Sequence, residues 1–331
     1  MKEHEAALSA LHTKTSKACL YVTETRTPQE LIKTISNCIH VKEKFSVDDI
    51  PVCPGFIGVG TRGTKGEPVM ICEHKLSLTT GYARSCIWIG NFVVVALQEM
   101  KEIQIFENAN INIKFHAKTA VSSEPWSLAR IDNVRFAICF PHNKTVQTMK
   151  IDNGLLRVLS TFSTNHDVWD ITYNCTDDQL ITLSRAGMID IYKLNGKSVG
   201  TIPLNGDLFT AVRNSFTICY DSAAHALYIS SQGLHKMVAV DMKGKVLFEY
   251  KHPKLQYPRR PDVDTDGNIY VPCYGGDTNS SMHELDKAGK LVREIRLSGA
   301  GFCVSFDLNR TKFVVCCDEH AEPYIQIYGF K

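Results

Sequence analysis

Residues Asp262 to Cys273 read DVDTDGNIYVPC. Carboxylates at alternate positions, a glycine sixth and an apolar residue eighth open like a calcium loop. Such a loop wraps the ion with oxygens from positions 1, 3, 5, 7 and 9 and closes with a bidentate glutamate at position 12. Position 12 here is Cys273, whose thiol is a poor ligand for a hard cation. The loop also needs a helix on each side, whereas Asn268-Ile-Tyr-Val271 is a β-branched and aromatic run followed by Pro272. Asp266-Gly267 instead reads as a hairpin turn between two strands, a reading that expects further copies of the same unit.

The copies are present. The segments beginning at Tyr82, Trp126, Trp169, Phe216, Arg259 and Phe302 align, with starts about 43 to 47 residues apart, the spacing of a repeat architecture. Apolar residues at period two follow most starts, as in Leu128, Ile171, Ile218 and Val304, and mark a first strand. Asp221, Asp264 and Asp307 occupy one equivalent position before the turn, with Asn174 and Asp132 close to it. Asp264 is thereby a repeat feature and not a ligand. A second strand follows in every copy, for example Phe92-Val-Val-Val95 and Phe313-Val-Val315. A third alternates apolar and polar residues, as in Ile103-Gln-Ile-Phe106 and Ile325-Gln-Ile-Tyr328. Glycine turns such as Lys243-Gly-Lys245 lead to a fourth strand.

Four antiparallel strands per unit make one propeller blade, and six copies make an all-β, six-bladed β-propeller. The sixth copy ends after its third strand, at Tyr328-Gly-Phe-Lys331. An open ring would expose a sheet edge. The spare segment Val69-Met-Ile-Cys72, continuing to Leu78, is therefore expected to pair with Tyr324 to Tyr328 and close the ring.

The 331 residues are 44% hydrophobic and 22% charged, ordinary for a globular chain, and the formal charge is +2. That balance lacks the basic excess of most nucleic-acid modules. No apolar run is long enough to span a membrane and the N-terminus shows no apolar leader core, so the expectation is a cytoplasmic protein without membrane contact. Most of the twelve cysteines sit inside apolar strands, as Cys139, Cys219, Cys303 and Cys316 do, and read as small hydrophobes. No C-x-x-C pair occurs. Neither a metal site nor a cofactor is expected from the spacing.

Residues 1–45 follow another rule and read as a helical arm, a coiled-coil remnant, ahead of a propeller over 46–331. Thr27-Pro-Gln-Glu30 forms a capping box with proline at the first helical position, and Leu31, Ile35 and Ile39 line one face. That stripe either packs on the propeller or self-associates with a second chain.

The segment Pro258-Arg-Arg-Pro-Asp-Val-Asp-Thr-Asp-Gly-Asn-Ile-Tyr-Val271, with the Asp-Lys-Ala-Gly-Lys turn at 286–290, resembles the NHL repeat, a six-bladed propeller unit. A helical segment leading into such a propeller is similar to the C-terminal half of tripartite-motif (TRIM) NHL proteins. The resemblance implies a partner-reading module of a ubiquitin-ligase system, and some propellers of that family bind RNA. Only the fifth copy carries the motif well. Cys19, Cys38 and Cys53, thiols ahead of the first repeat, lack the paired spacing of a RING finger or B-box.

Loops joining fourth to first strands and second to third strands share one face of a propeller. That face should carry the repeat starts, including Trp126, Trp169, Arg259 and Phe302, together with Arg185, Arg213, Lys236, Arg260, Tyr257 and Tyr274. The aromatic starts either wedge between blades or anchor a partner. The leading expectation is a non-catalytic module binding a protein or peptide. Arginine beside aromatic rings also suits single-stranded RNA. A calcium-dependent propeller hydrolase would need several oxygen ligands at the inner ends of the first strands, where only Asp170 and Asp262 stand near.

Overall fold

The computed structural model describes residues 66–76, 82–109, 112–204, 216–274, 280–319 and 322–330. They form six four-stranded antiparallel sheets, the blades of a propeller. Blades 1 to 5 cover 83–120, 127–163, 168–203, 216–251 and 262–296, each with its strands in chain order. Blade 6 combines Ala300–Phe306, Lys312–Glu319 and Glu322–Phe330 with Pro68–Lys75 as its outermost strand. The expected closure is thus observed: Val69 pairs with Gly329 and Lys75 with Tyr324. The expected helical arm and residues 77–78 lie outside the described residues. No helix among the described residues is long and apolar enough to cross a membrane.

Strand position explains the sequence pattern. Second strands are covered on both faces and read as continuous apolar runs, as Phe92–Leu97 does. Outermost strands alternate, as Leu155–Ser163 does, because one face meets water. The core is a ring of seams between neighbouring blades. Trp88, Val95 and Phe106 of blade 1 pack with Val314 and Ile325 of blade 6. Phe136 and Ile138 meet Ile87 and Val94 across the next seam, and Tyr270 meets Phe306 and Phe313 across the last. Each fully buried side chain of this size contributes about 1.5–3 kcal/mol.

The innermost strands are stitched around the channel by a second device, in which a side chain of one blade accepts a backbone N–H of the next. One row runs from Cys303 to Cys86 N (3.0 Å), Ser85 to Leu128 N (3.2 Å) and Asp170 to Ile218 N (2.7 Å). Two residues on, Ser305 accepts Trp88 N (3.2 Å), Thr172 accepts Tyr220 N (3.1 Å) and Asp262 accepts Phe306 N (2.8 Å). These rows correct the alignment of the first repeat. Ser85 matches Asp170 and Cys303, so Arg84, not Tyr82, stands where Trp169 and Phe302 stand.

The opening segment behaves as a turn. Asp264 Oδ1 accepts the amides of Asp266 (2.8 Å) and Asn268 (2.9 Å), and Gly267 takes the φ of +83° that an L side chain resists. Asp221 does the same for Ala223 (2.9 Å) and Asp307 for Thr311 (2.8 Å). These carboxylates satisfy turn amides that would otherwise be unpaired.

Candidate binding face

Five repeat starts, Tyr82, Trp126, Trp169, Arg259 and Phe302, lie in one chain of contacts in which arginines alternate with aromatic rings. The Arg259 guanidinium carbon lies 4.7 Å from the Phe302 ring centre. Phe302 adjoins Tyr82 at 6.1 Å. Arg84 then lies over Tyr82 at 4.9 Å and over Trp126 at 4.6 Å. Trp126 meets Trp169 edge to face at 4.3 Å, and Arg185 stacks 3.3 Å above the Trp169 ring. This belt runs from blade 5 through blades 6, 1 and 2 to blade 3. Each cation–π pair contributes about 0.5–2 kcal/mol, more where the cation is desolvated.

Backbone irregularity positions three of these side chains. Strand register shifts between Ala83 and Ser85, between Val168 and Asp170, and between Gly301 and Cys303. The skipped residues are Arg84, Trp169 and Phe302. A bulge leaves one residue out of the ladder and re-aims its side chain, here onto the loop face.

Polar partners orient the belt. Arg84 Nε donates to Gln98 Oε1 (2.5 Å), Gln98 Nε2 donates to Glu124 Oε2 (2.9 Å), and His142 Nε2 lies 3.5 Å from the same oxygen. Trp169 Nε1 donates to Asp167 Oδ2 (2.6 Å). Burial, reinforced by the charge of Arg84, pulls the Arg259 guanidinium down to about 10, so it remains cationic at neutral pH. Tyr257 and Tyr274 lie beside the belt with rings 6.3 Å apart. Tyr257 is 46% exposed yet holds a left-handed backbone, φ 46°. Its amide donates to His235 Nδ1 (3.0 Å), which stabilises a conformation costing about 1–3 kcal/mol.

Two expected face residues are placed elsewhere. Lys236 is 3% exposed, at the start of a third strand, with its ammonium 2.7 Å from Glu249 on the outermost strand. Arg260 enters the channel: Nη2 donates to Ile171 O (2.9 Å), Nη1 donates to Ser127 Oγ (2.7 Å) and lies 3.5 Å from Asp170 Oδ1. Neither offers its charge to a partner on the loop face. Arg213 lies outside the described residues, and of Phe216 only the backbone is described.

The channel is filled by cations. Below Arg260, Arg130 Nη1 donates to Phe306 O (2.7 Å), and Arg310 Nη1 donates to Val263 O (2.5 Å). A cavity of ≈ 80 Å³ remains, lined by Arg130, Cys219, Asp262 and Arg310 among others. Asp170 and Asp262 both use their oxygens on backbone amides, 2.8 Å to Ile171 N and 2.8 Å to Val263 N besides the inter-blade bonds above. Burial pushes the Asp170 carboxyl up, and Arg260 opposes that shift.

Sequence reasoning missed Arg84 and its partners Gln98 and Glu124. The signal was the motif of small or polar residue then apolar residue, Ser85-Cys86, Ser127-Leu128 and Asp170-Ile171, which aligns blade 1 correctly. The architecture and this face define a six-bladed β-propeller with an arginine–aromatic loop face. Comparison with protein-family models and with curated proteins finds no match to the chain.

Proposed function

We propose that the protein is a non-catalytic binding module that holds an acidic protein or peptide segment on the arginine–aromatic face. The observation that carries this reading is the belt itself, with Arg84, Arg185 and Arg259 interleaved with Tyr82, Trp126, Trp169 and Phe302. Arginine and aromatic side chains are the residues that dominate binding energy at protein interfaces. Planar guanidinium groups held by ring stacking lose little freedom when they meet a carboxylate. The non-catalytic part of the reading is supported by the channel, where both carboxylates are engaged by backbone amides and arginines fill the space. On the NHL likeness of residues 258–271, the propeller would serve in the cytosol as the partner-reading half of a TRIM-like ubiquitin-ligase system.

Peptide-display selection against the propeller tests the proposal. Acidic peptides should be enriched, and the double variant Arg84→Glu, Arg259→Glu should weaken the selected peptide at least about tenfold, or 1.4 kcal/mol. Lys290→Glu, in an exposed turn of the opposite face, should leave it unchanged. Retention of single-stranded RNA with a steep salt dependence, and of no peptide, would replace this reading with the RNA one. Binding of neither would overturn both.

A further inference from the structure

His252, His283 and Glu294 converge at the outer part of the seam between blades 4 and 5. His252 follows the last strand of blade 4, Val246–Lys251, in the segment that leads to Arg259. His283 lies on the third strand of blade 5, Ser281–Leu285, and pairs across the ladder with Glu294 on the fourth, Leu291–Arg296. The ligand atoms that these residues offer all lie within 4.8 Å of one another. The two imidazole rings are 5.2 Å apart at 74°.

His283 is the decisive member. It is fully buried, its Nδ1 lies 2.7 Å from the Tyr250 hydroxyl, and its buried Nε2 has no hydrogen-bond partner. A buried polar nitrogen left unpaired costs about 1–3 kcal/mol. In the tautomer in which Nδ1–H donates to the tyrosine oxygen, Nε2 presents a lone pair instead of a proton. An imidazole held in one tautomer by an outer partner is the usual arrangement of a metal-binding histidine.

We propose that His252, His283 and Glu294 form a site for a divalent transition-metal ion, with Tyr250 orienting His283. Two imidazoles and one carboxylate suit zinc, and three protein ligands leave a position for water. Two contacts must yield as the ion enters. Lys254 Nζ now lies 2.9 Å from Glu294 Oε2, and the Lys254 amide donates to His252 Nδ1 at 3.3 Å. Lysine is thus the competitor for the site. The bound ion would tie the segment carrying Tyr257 and Arg259 to the outer strands of blade 5, fixing one end of the belt.

The test is calorimetric titration of Zn²⁺ into chelator-treated full-length protein. One equivalent should bind. His252→Gln and Glu294→Gln, both at positions with solvent access, should each weaken it at least about tenfold, and Tyr250→Phe by about tenfold to a hundredfold. Lys254→Met should tighten it. Substituted Co²⁺ should show the ligand-field absorption of a nitrogen and oxygen set. A thiolate charge-transfer band would instead assign the ion to Cys86, Cys303 and Cys316, the buried thiols at the seam of blades 1 and 6. That band, a failure to bind zinc, or an isotherm unaltered in both His252→Gln and Glu294→Gln would overturn the proposal.

Discussion

Lys236 and Glu249 form a pair of unequal exposure, 3% and 37%. Removing the acid strands a buried ammonium, so Glu249→Gln should lower stability by about 1–2 kcal/mol, solvent screening of the glutamate included. Lys236→Met should be close to neutral in urea denaturation. The hydrogen bond from Lys236 holds the Glu249 carboxyl below the usual range. Its contribution is therefore full above the unfolded carboxyl pKa and is lost as pH falls through the depressed folded value; Lys236→Met should lack that acid-side component. Trp169, 8% exposed, packs between Trp126 and Arg185. Trp169→Ala should cost about 3–5 kcal/mol and the half-buried Trp126→Ala less, which makes Trp126 the cleaner probe of binding. At this scale composition was a weak guide. Arg259 and Arg260 are adjacent arginines just ahead of the strand Asp262–Val263, yet one lies over Phe302 and the other enters the channel. The sequence pattern did not show that divergence, because Arg260 is held by partners on other blades, nor the burial of Lys236, which depends on the neighbouring fourth strand.

Turns and bulges set what the strands can do. Asp264 takes two turn amides through one oxygen, so Asp264→Ala should cost about 2 kcal/mol by thermal or urea melting, while added Ca²⁺ should leave the wild-type midpoint unmoved. A calcium-dependent rise in that midpoint would restore the ion-binding reading of DVDTDG. The six strand pairs could be read from sequence because glycine and aspartate turns interrupt period-two runs at regular spacing. The bulges could not, since an extra residue in one strand leaves the apolar pattern on either side intact. This is why the first repeat was aligned on Tyr82 and Arg84 escaped notice. Those same bulges hold Arg84, Trp169 and Phe302 out of their ladders, so the irregularities that hid the belt also build it.

Closure of the ring depends on Pro68–Lys75 pairing along the whole of Tyr324–Phe330. Deleting 68–75 would bare a long strand edge and uncover Ile325 and Ile327 of the adjoining seam. Size-exclusion chromatography should then show soluble aggregates, with a peptide spanning 66–76 restoring the monodisperse species. The incomplete sixth copy made this closure legible in advance, whereas the arginines that fill the channel were not, because the partners that hold them come from other blades. In the closed blade Pro68 lies directly opposite Phe330. The order in which the strands are synthesised is therefore incidental to the finished disc. A circular permutant that joins these two ends through a few glycines and opens at Asn153–Gly154 should fold to the same object.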